Sequence, residues 1–125
     1  MSTSIGTKAD TVVVTGQDRR LVVAREVRIA KTHWSRFLGL MGRRRLGEGE
    51  GLLLIPGGSI HTLFMRFPID AIFLDRDWKV RKVAANVRPY RLAFGGRGVG
   101  SVLEVPAGTA AAIGIEQGDT LLVSA

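Results

Sequence analysis

Short apolar runs punctuated by glycine, proline and aspartate make up most of the chain, and only one segment repeats with a helical period. Thr11 to Thr15 (TVVVT) reads as a β-branched strand and Gly16-Gln17-Asp18 as a turn. Arg20 to Ile29 is the strand's partner, with Val23, Val27 and Ile29 on one face and Glu26 and Arg28 on the other. Arg25 interrupts the apolar face, which predicts a bulge or an edge position there. Thr32 then stands as a good N-cap, and Trp34, Phe37, Leu38 and Met41 recur at the spacing of one buried helix face that Gly42 can end. This predicts one principal helix over about 32–41. Gly39 inside it is unfavourable by about 1 kcal/mol relative to Ala, a sign that another backbone passes close by.

Leu52 to Ile55 and Ala71 to Leu74 have the length and flanking breakers of buried strands. Asp75-Arg76-Asp77 turns the chain into a second hairpin with Trp78 to Ala84, and Pro89 ends the pairing beyond Asn86. Arg91 to Gly100, with glycines at 95, 96, 98 and 100, reads as a mobile loop. Val102 to Val105 is a short strand, Thr109 to Ile113 a helical turn closed by Gly114, and Gly118-Asp119 a turn into the last strand, Thr120 to Val123. Many short strands against one helical period predict an α+β domain: a compact, mainly antiparallel or mixed, barrel-like sheet with one principal helix. Residues 1–10 are polar and read as a flexible N-terminus, and 11–125 as a single domain. Phe64, Phe67, Ile72, Leu74, Trp34, Phe37, Leu103 and Leu122 are the expected core.

The 125 residues suffice for one core without staples, and the absence of cysteine removes a disulfide framework, a thiolate zinc site and a cysteine nucleophile. A net charge of +7 favours contact with anionic partners. Apart from Arg43-Arg44-Arg45, however, the basic residues are scattered and do not alternate with aromatics, so nucleic acid is not the expected partner. The arginine triplet sits where it would complement the end of the expected helix. No run approaches the roughly eighteen apolar residues of a membrane span, and the first residues lack a basic-then-apolar leader. The chain as written is therefore expected in the cytoplasm. The glycines of 91–100 neither lead into Lys-Ser or Lys-Thr nor join a strand to a helix, which excludes P-loop and dinucleotide sites.

Candidate chemistry concentrates in GLLLIPGGSIHTLFMRFPIDAIFLD, Gly51 to Asp75. A connector so apolar folds back onto the core, and its polar groups need partners. His61, Thr62, Met65 and Arg66 are the candidate ligand-binding residues, lining a groove near the Gly58 to Asp70 loop. Asp70, Glu104 and Asp119 are read as structural polar groups. For Asp70 the candidate partners are Arg66, His61 and the loop amides; for Asp119 they are its own local backbone. Two alternatives use the same loop: a hydrolase-like or other enzyme with His61 as general base oriented by Asp70 or Glu104, and a copper(I) site through His61 and Met65. Neither a cofactor nor a metal ligand is assigned. A Ser59, His61 and Asp70 triad is rejected, because residues so close in sequence seldom converge.

The run SIHTLFMRFPIDAIFLD, Ser59 to Asp75, resembles the domain of unknown function 192 family, DUF192, of small bacterial and archaeal proteins. The resemblance extends to RFLGLMGR (Arg36 to Arg43), GLLL (Gly51 to Leu54), VLEVPAG (Val102 to Gly108) and GIEQGD (Gly114 to Asp119), in that order across about three quarters of the chain. It implies a fold and no established reaction. The resembled family includes members with a Cys just before the Ser-Ile-His-Thr run, where Gly58 or its neighbour stands here, so a thiol mechanism does not carry over. Relatives in it often bear an export signal, which makes the periplasm the alternative compartment. The partner is expected to be a small molecule or a protein, and the function to be binding.

Overall fold

The β-branched run Val12–Gly16 (β1) pairs antiparallel with Val22–Ala30 (β2). The structure is a computed structural model that describes residues 12–16 and 22–124; the Gln17-Asp18 turn and residues 1–10 lie outside it. Arg25 marks the expected bulge: the amides of Arg25 and Glu26 both donate to the Gly49 carbonyl, at 2.7 and 3.0 Å, and the β1 register shifts opposite them. After the helix His33–Leu38 (α1) come Glu50–Leu54 (β3), Ser59–His61 (β4), Ile69–Leu74 (β5), Val80–Val87 (β6), Leu92–Phe94 (β7) and Ser101–Pro106 (β8). Thr109–Ile113 (α2) and Leu121–Ser124 (β9) complete the order.

Seven strands form one sheet in the order β6-β5-β8-β3-β2-β1-β9, parallel only between β2 and β3. Its strands β5 and β8 are the most continuously buried, covered on both faces. Alternation sends Ile72, Leu74, Leu103 and Val105 into one cluster with Val23, Val27, Leu53, Val80 and Leu121. Ile69, Phe73 and Val102 go to the opposite face with Leu52, Leu54, Leu40, Ile60 and Met65. That second face is covered by Leu40 and Leu46 beyond α1, by Met65 and Phe67, and by Ile60 and Ala93 of the two-stranded sheet of β4 and β7. The α+β class is as expected, but the sheet is not closed into a barrel. Its end strands touch at the isolated bridge Lys79 to Thr120, flanked by Val80 N donating to Asp119 O at 2.7 Å and Leu121 N to Trp78 O at 2.9 Å.

Several expectations are corrected. The helix spans His33–Leu38, not 32–41, and none of its residues is buried. Its N-terminus is a capping box: Ser35 N donates to Thr32 Oγ1 at 2.9 Å and Thr32 N to Ser35 Oγ at 3.1 Å. Its end is set by Gly39, whose φ of +47° and ψ of −121° are closed to residues with a side chain, and no passing backbone is needed to explain the glycine. Because the helix stops there, Arg43 lies beyond its last turn and pairs instead with Glu50 at 3.4 Å. Leu40, past the glycine, is the side chain that enters the core, while Trp34 and Phe37 stay 68% and 51% exposed. Phe64 is also exposed, and the last strand buries Leu121 in place of Leu122, a slip of one residue that reverses every side chain in a strand. Phe37→Ala should therefore cost about 1 kcal/mol or less in chemical denaturation, well below the several kcal/mol of a buried phenylalanine.

The segment 91–100 is not a free loop. Leu92–Phe94 pairs with Ser59–His61, and Gly95 N donates to Gly58 O at 2.8 Å. A Cβ on Gly95 would stand 2.5 Å from the Phe73 ring, so glycine there permits the close approach that seats β7 over the sheet.

Candidate functional site

Between the end of α1 and the chain from 54 to 65 lies a cavity of about 260 Å³ over the second face of the sheet. Leu38, Leu40, Met41, Leu54, Ile60 and Met65 form much of its wall, with Leu92 and Phe94 of β7, and Arg36, Ser59 and His61 add polar groups. Glu104 also lines it. This glutamate stands mid-strand in β8, opposite Leu52 on one side and Ala71 on the other, in a sheet row with no charged neighbour on either adjoining strand. Its residue is 3% exposed, and among the described residues its carboxyl has no hydrogen-bond partner. Burial raises the pKa of that carboxyl to about 8, so at neutral pH Glu104 is predominantly an uncharged acid at the wall of an apolar cavity. A desolvated acid with a raised pKa at the wall of a cavity makes Glu104 a candidate functional position.

His61 borders the same cavity, held on both ring nitrogens. Nε2 lies 2.7 Å from the Phe37 carbonyl, and Leu63 N lies 3.2 Å from Nδ1. The neutral tautomer with its proton on Nε2 satisfies both: the ring donates to a carbonyl left open at the helix end and accepts from the loop amide. The Phe37 ring packs against it, with centroids 5.3 Å apart. His61 thus ties α1 to the chain that forms the cavity wall. Thr62 is fully buried, its hydroxyl donating to Arg88 O at 2.6 Å and accepting from Arg91 N at 2.8 Å. Met65 is buried in the wall, and Arg66 is exposed and does not line the cavity. Of the four candidate residues, then, His61 and Met65 meet at the cavity, Thr62 braces the chain behind it, and Arg66 stands apart.

Asp70 is buried, as its place before an apolar run implies, but it does not meet Arg66, His61 or the amides of 58–67. Oδ1 accepts from Asn86 N at 2.9 Å, and Oδ2 from Gly108 N at 3.1 Å and Ala110 N at 2.9 Å. Gly108 is the N-cap of α2 and offers no side chain, so a carboxylate from a distant strand caps the helix in its place. Asp119 accepts from Glu116 N at 2.9 Å, a turn contact with local backbone. No group of three or more His, Cys, Asp or Glu side chains converges among the described residues in a way that would hold a metal.

Leu92 and Phe94 of the cavity lining belong to a set of exposed apolar side chains, and Arg36 is the cation that lines the cavity. Trp34, Phe37, Leu63, Phe64, Tyr90, Leu92 and Phe94 are all exposed. Phe64 and Tyr90 hold positive φ values of 60° and 61°, sparsely populated for aromatic residues, and their rings meet edge to face at 5.7 Å. Residues 27–47, 51–69 and 78–103 contain no aspartate or glutamate, so the elements enclosing the cavity contribute arginine and lysine but no anion until Glu104 itself. The exceptional character of Glu104 has one sequence signal: an acid inside the otherwise apolar V-L-E-V of a central strand. Its lack of a partner has none.

The family model DUF192, described as Uncharacterized ACR, matches residues 12–123. The UPF0127 protein PF1050 of Pyrococcus furiosus is 35% identical over 101 residues, 77% of this chain and 84% of that protein. A crystal structure of a protein of unknown function from Novosphingobium aromaticivorans superposes with a TM-score of 0.78 at 33% identity, over 90% of this chain and 83% of that one. A second, from Sinorhizobium meliloti and named a candidate transcription regulator, gives 0.75 at 26% identity, over 90% of this chain and 91% of that one.

Proposed function

We propose, from the premise that this chain belongs to the DUF192 family, that it is a small-molecule-binding module whose ligand occupies the cavity between α1 and β4 and reaches Glu104. The observation that carries this reading is the buried Glu104 carboxyl without a partner. The carboxyl opens onto the cavity, so a ligand group that bonds to it gains a hydrogen bond in a desolvated site, worth about 0.5 to 1.5 kcal/mol net. The apolar wall supplies the remaining attraction, and few polar groups in an apolar concavity is the ordinary composition of a ligand site. Binding is favoured over catalysis by His61, because both ring nitrogens of that residue are already engaged with backbone. The same engagement counts against the copper reading, because a metal-bound imidazole needs a free ring nitrogen.

The test is capture of a ligand by the purified protein, read by native mass spectrometry and by thermal shift against a metabolite set. Glu104→Leu should keep the fold, as seen by circular dichroism, and lose the captured mass. Retention of the same ligand with unchanged affinity by Glu104→Leu would refute the site.

A further inference from the structure

We infer that the head group recognised in this cavity is a hydrogen-bond acceptor, a carbonyl or carboxylate oxygen on an apolar body, and not an amine or other cation. The inference rests on the binding reading above and adds the chemistry of the ligand. Of the side chains that line the cavity only Arg36, His61 and Glu104 titrate. Arg36 carries a positive charge with no carboxylate beside it: its guanidinium reaches the Lys31 carbonyl at 3.4 Å and His33 Nδ1 at 3.0 Å. His61 has both ring nitrogens engaged with backbone and points its donor at Phe37, away from the cavity ligand.

From the strands packed beside Glu104, Leu52 of β3 and Ala71 of β5 bring no charge, and Asp70 directs its oxygens to the amides of Asn86, Gly108 and Ala110. One strand beyond, Arg28 stands opposite Leu52, under the influence of Arg43 and Glu50. The site therefore presents one uncompensated cation and one buried acid. A cationic ligand would meet Arg36 as a like charge and would have to expel the Glu104 proton. An acceptor meets a donor ready in place, and an anionic acceptor is in addition drawn by Arg36.

Three probes of one size separate these cases: cyclohexanone, cyclohexanecarboxylate and cyclohexylamine, titrated into the full chain with the Met41 and Met65 methyl resonances as reporters. Both methionines line the cavity. The ketone and the carboxylate should shift these resonances at pH 6 and the amine should not. Raising the pH to 9 ionises Glu104 and should weaken the ketone about tenfold, the loss of one hydrogen bond. Glu104→Gln, whose amide still donates, should bind the ketone equally at both pH values. Tighter binding of the amine than of the ketone, or ketone binding independent of pH in the wild type, would overturn the head-group assignment while leaving the pocket standing. Silence of both methyls to all three probes would overturn the assignment together with the binding reading.

Discussion

Glu104→Gln should leave the protein near its wild-type stability at pH 4.5 and make it substantially more stable than wild type at pH 8. In the folded chain the carboxyl keeps its proton up to a pKa of about 8, against an ordinary value of 4.5 when unfolded. Between those values the unfolded state binds fewer protons than the folded one, so stability falls as pH rises, and the fall levels off above the folded pKa. Across that interval the loss is on the order of 4 kcal/mol. Glutamine has nearly the same shape and no such titration. For a chain of this size the difference corresponds to roughly 10 °C or more in Tm at pH 8. Paired melting curves from pH 4.5 to 9 measure it directly, and parallel curves for the two proteins would show that the carboxyl has a partner or solvent access. A chain that keeps this acid despite its cost fits a position held for binding, since functional groups are commonly retained against stability.

Asp70→Ala should lower unfolding free energy by about 3 to 5 kcal/mol, because three amides, buried or part-buried, would lose a charged acceptor at once. The amides belong to Asn86 at the end of β6, to Gly108 at the α2 cap and to Ala110 in its first turn, so one carboxylate joins three elements. Asp70→Asn keeps the volume but turns an NH₂ toward donors, and should recover only part of the loss. Arg66→Ala, at an exposed position that does not touch Asp70, is the control and should leave urea midpoints unchanged. Equal stability of Asp70→Ala and wild type would remove this carboxylate from the framework of the fold.

Strand alternation and turn residues were legible to the eye: the pairing of β1 with β2, the second hairpin, the Arg25 bulge, the α2 turn closed by Gly114 and the buried run of β5 all stand as period and punctuation imply. The α1 period was legible too, but a period says that side chains share a face and not what that face meets. With the helix ended at Gly39, Leu38 and Met41 line the cavity while Trp34 and Phe37 remain exposed. The β9 strand was found and its phase was off by one residue, a distinction fixed by the pairing of Leu121 N with Trp78 O, far away in the chain. Asp70 could be recognised as buried. Its partners could not, because they are main-chain amides 16, 38 and 40 residues on, and every sequence has amides. Glu104 stood out by composition, whereas the vacancy around its carboxyl is a property of packing alone.

The pairing of β1 with β9 sets Val13 opposite Ser124, joining segments from the two ends of the sequence. Closing so long a loop costs entropy that no local contact recovers, which slows folding relative to a chain of nearest-neighbour hairpins. The β5 and β6 hairpin closes through the four-residue turn between Leu74 and Lys79 and can form first, whereas β1 and β9 meet only after the intervening strands have ordered. Until they meet, β1 presents an unpaired edge rich in valine. The interval before the ends join is therefore when this protein is most exposed to pairing with another chain, and rapid capture of that edge is what its late folding must achieve.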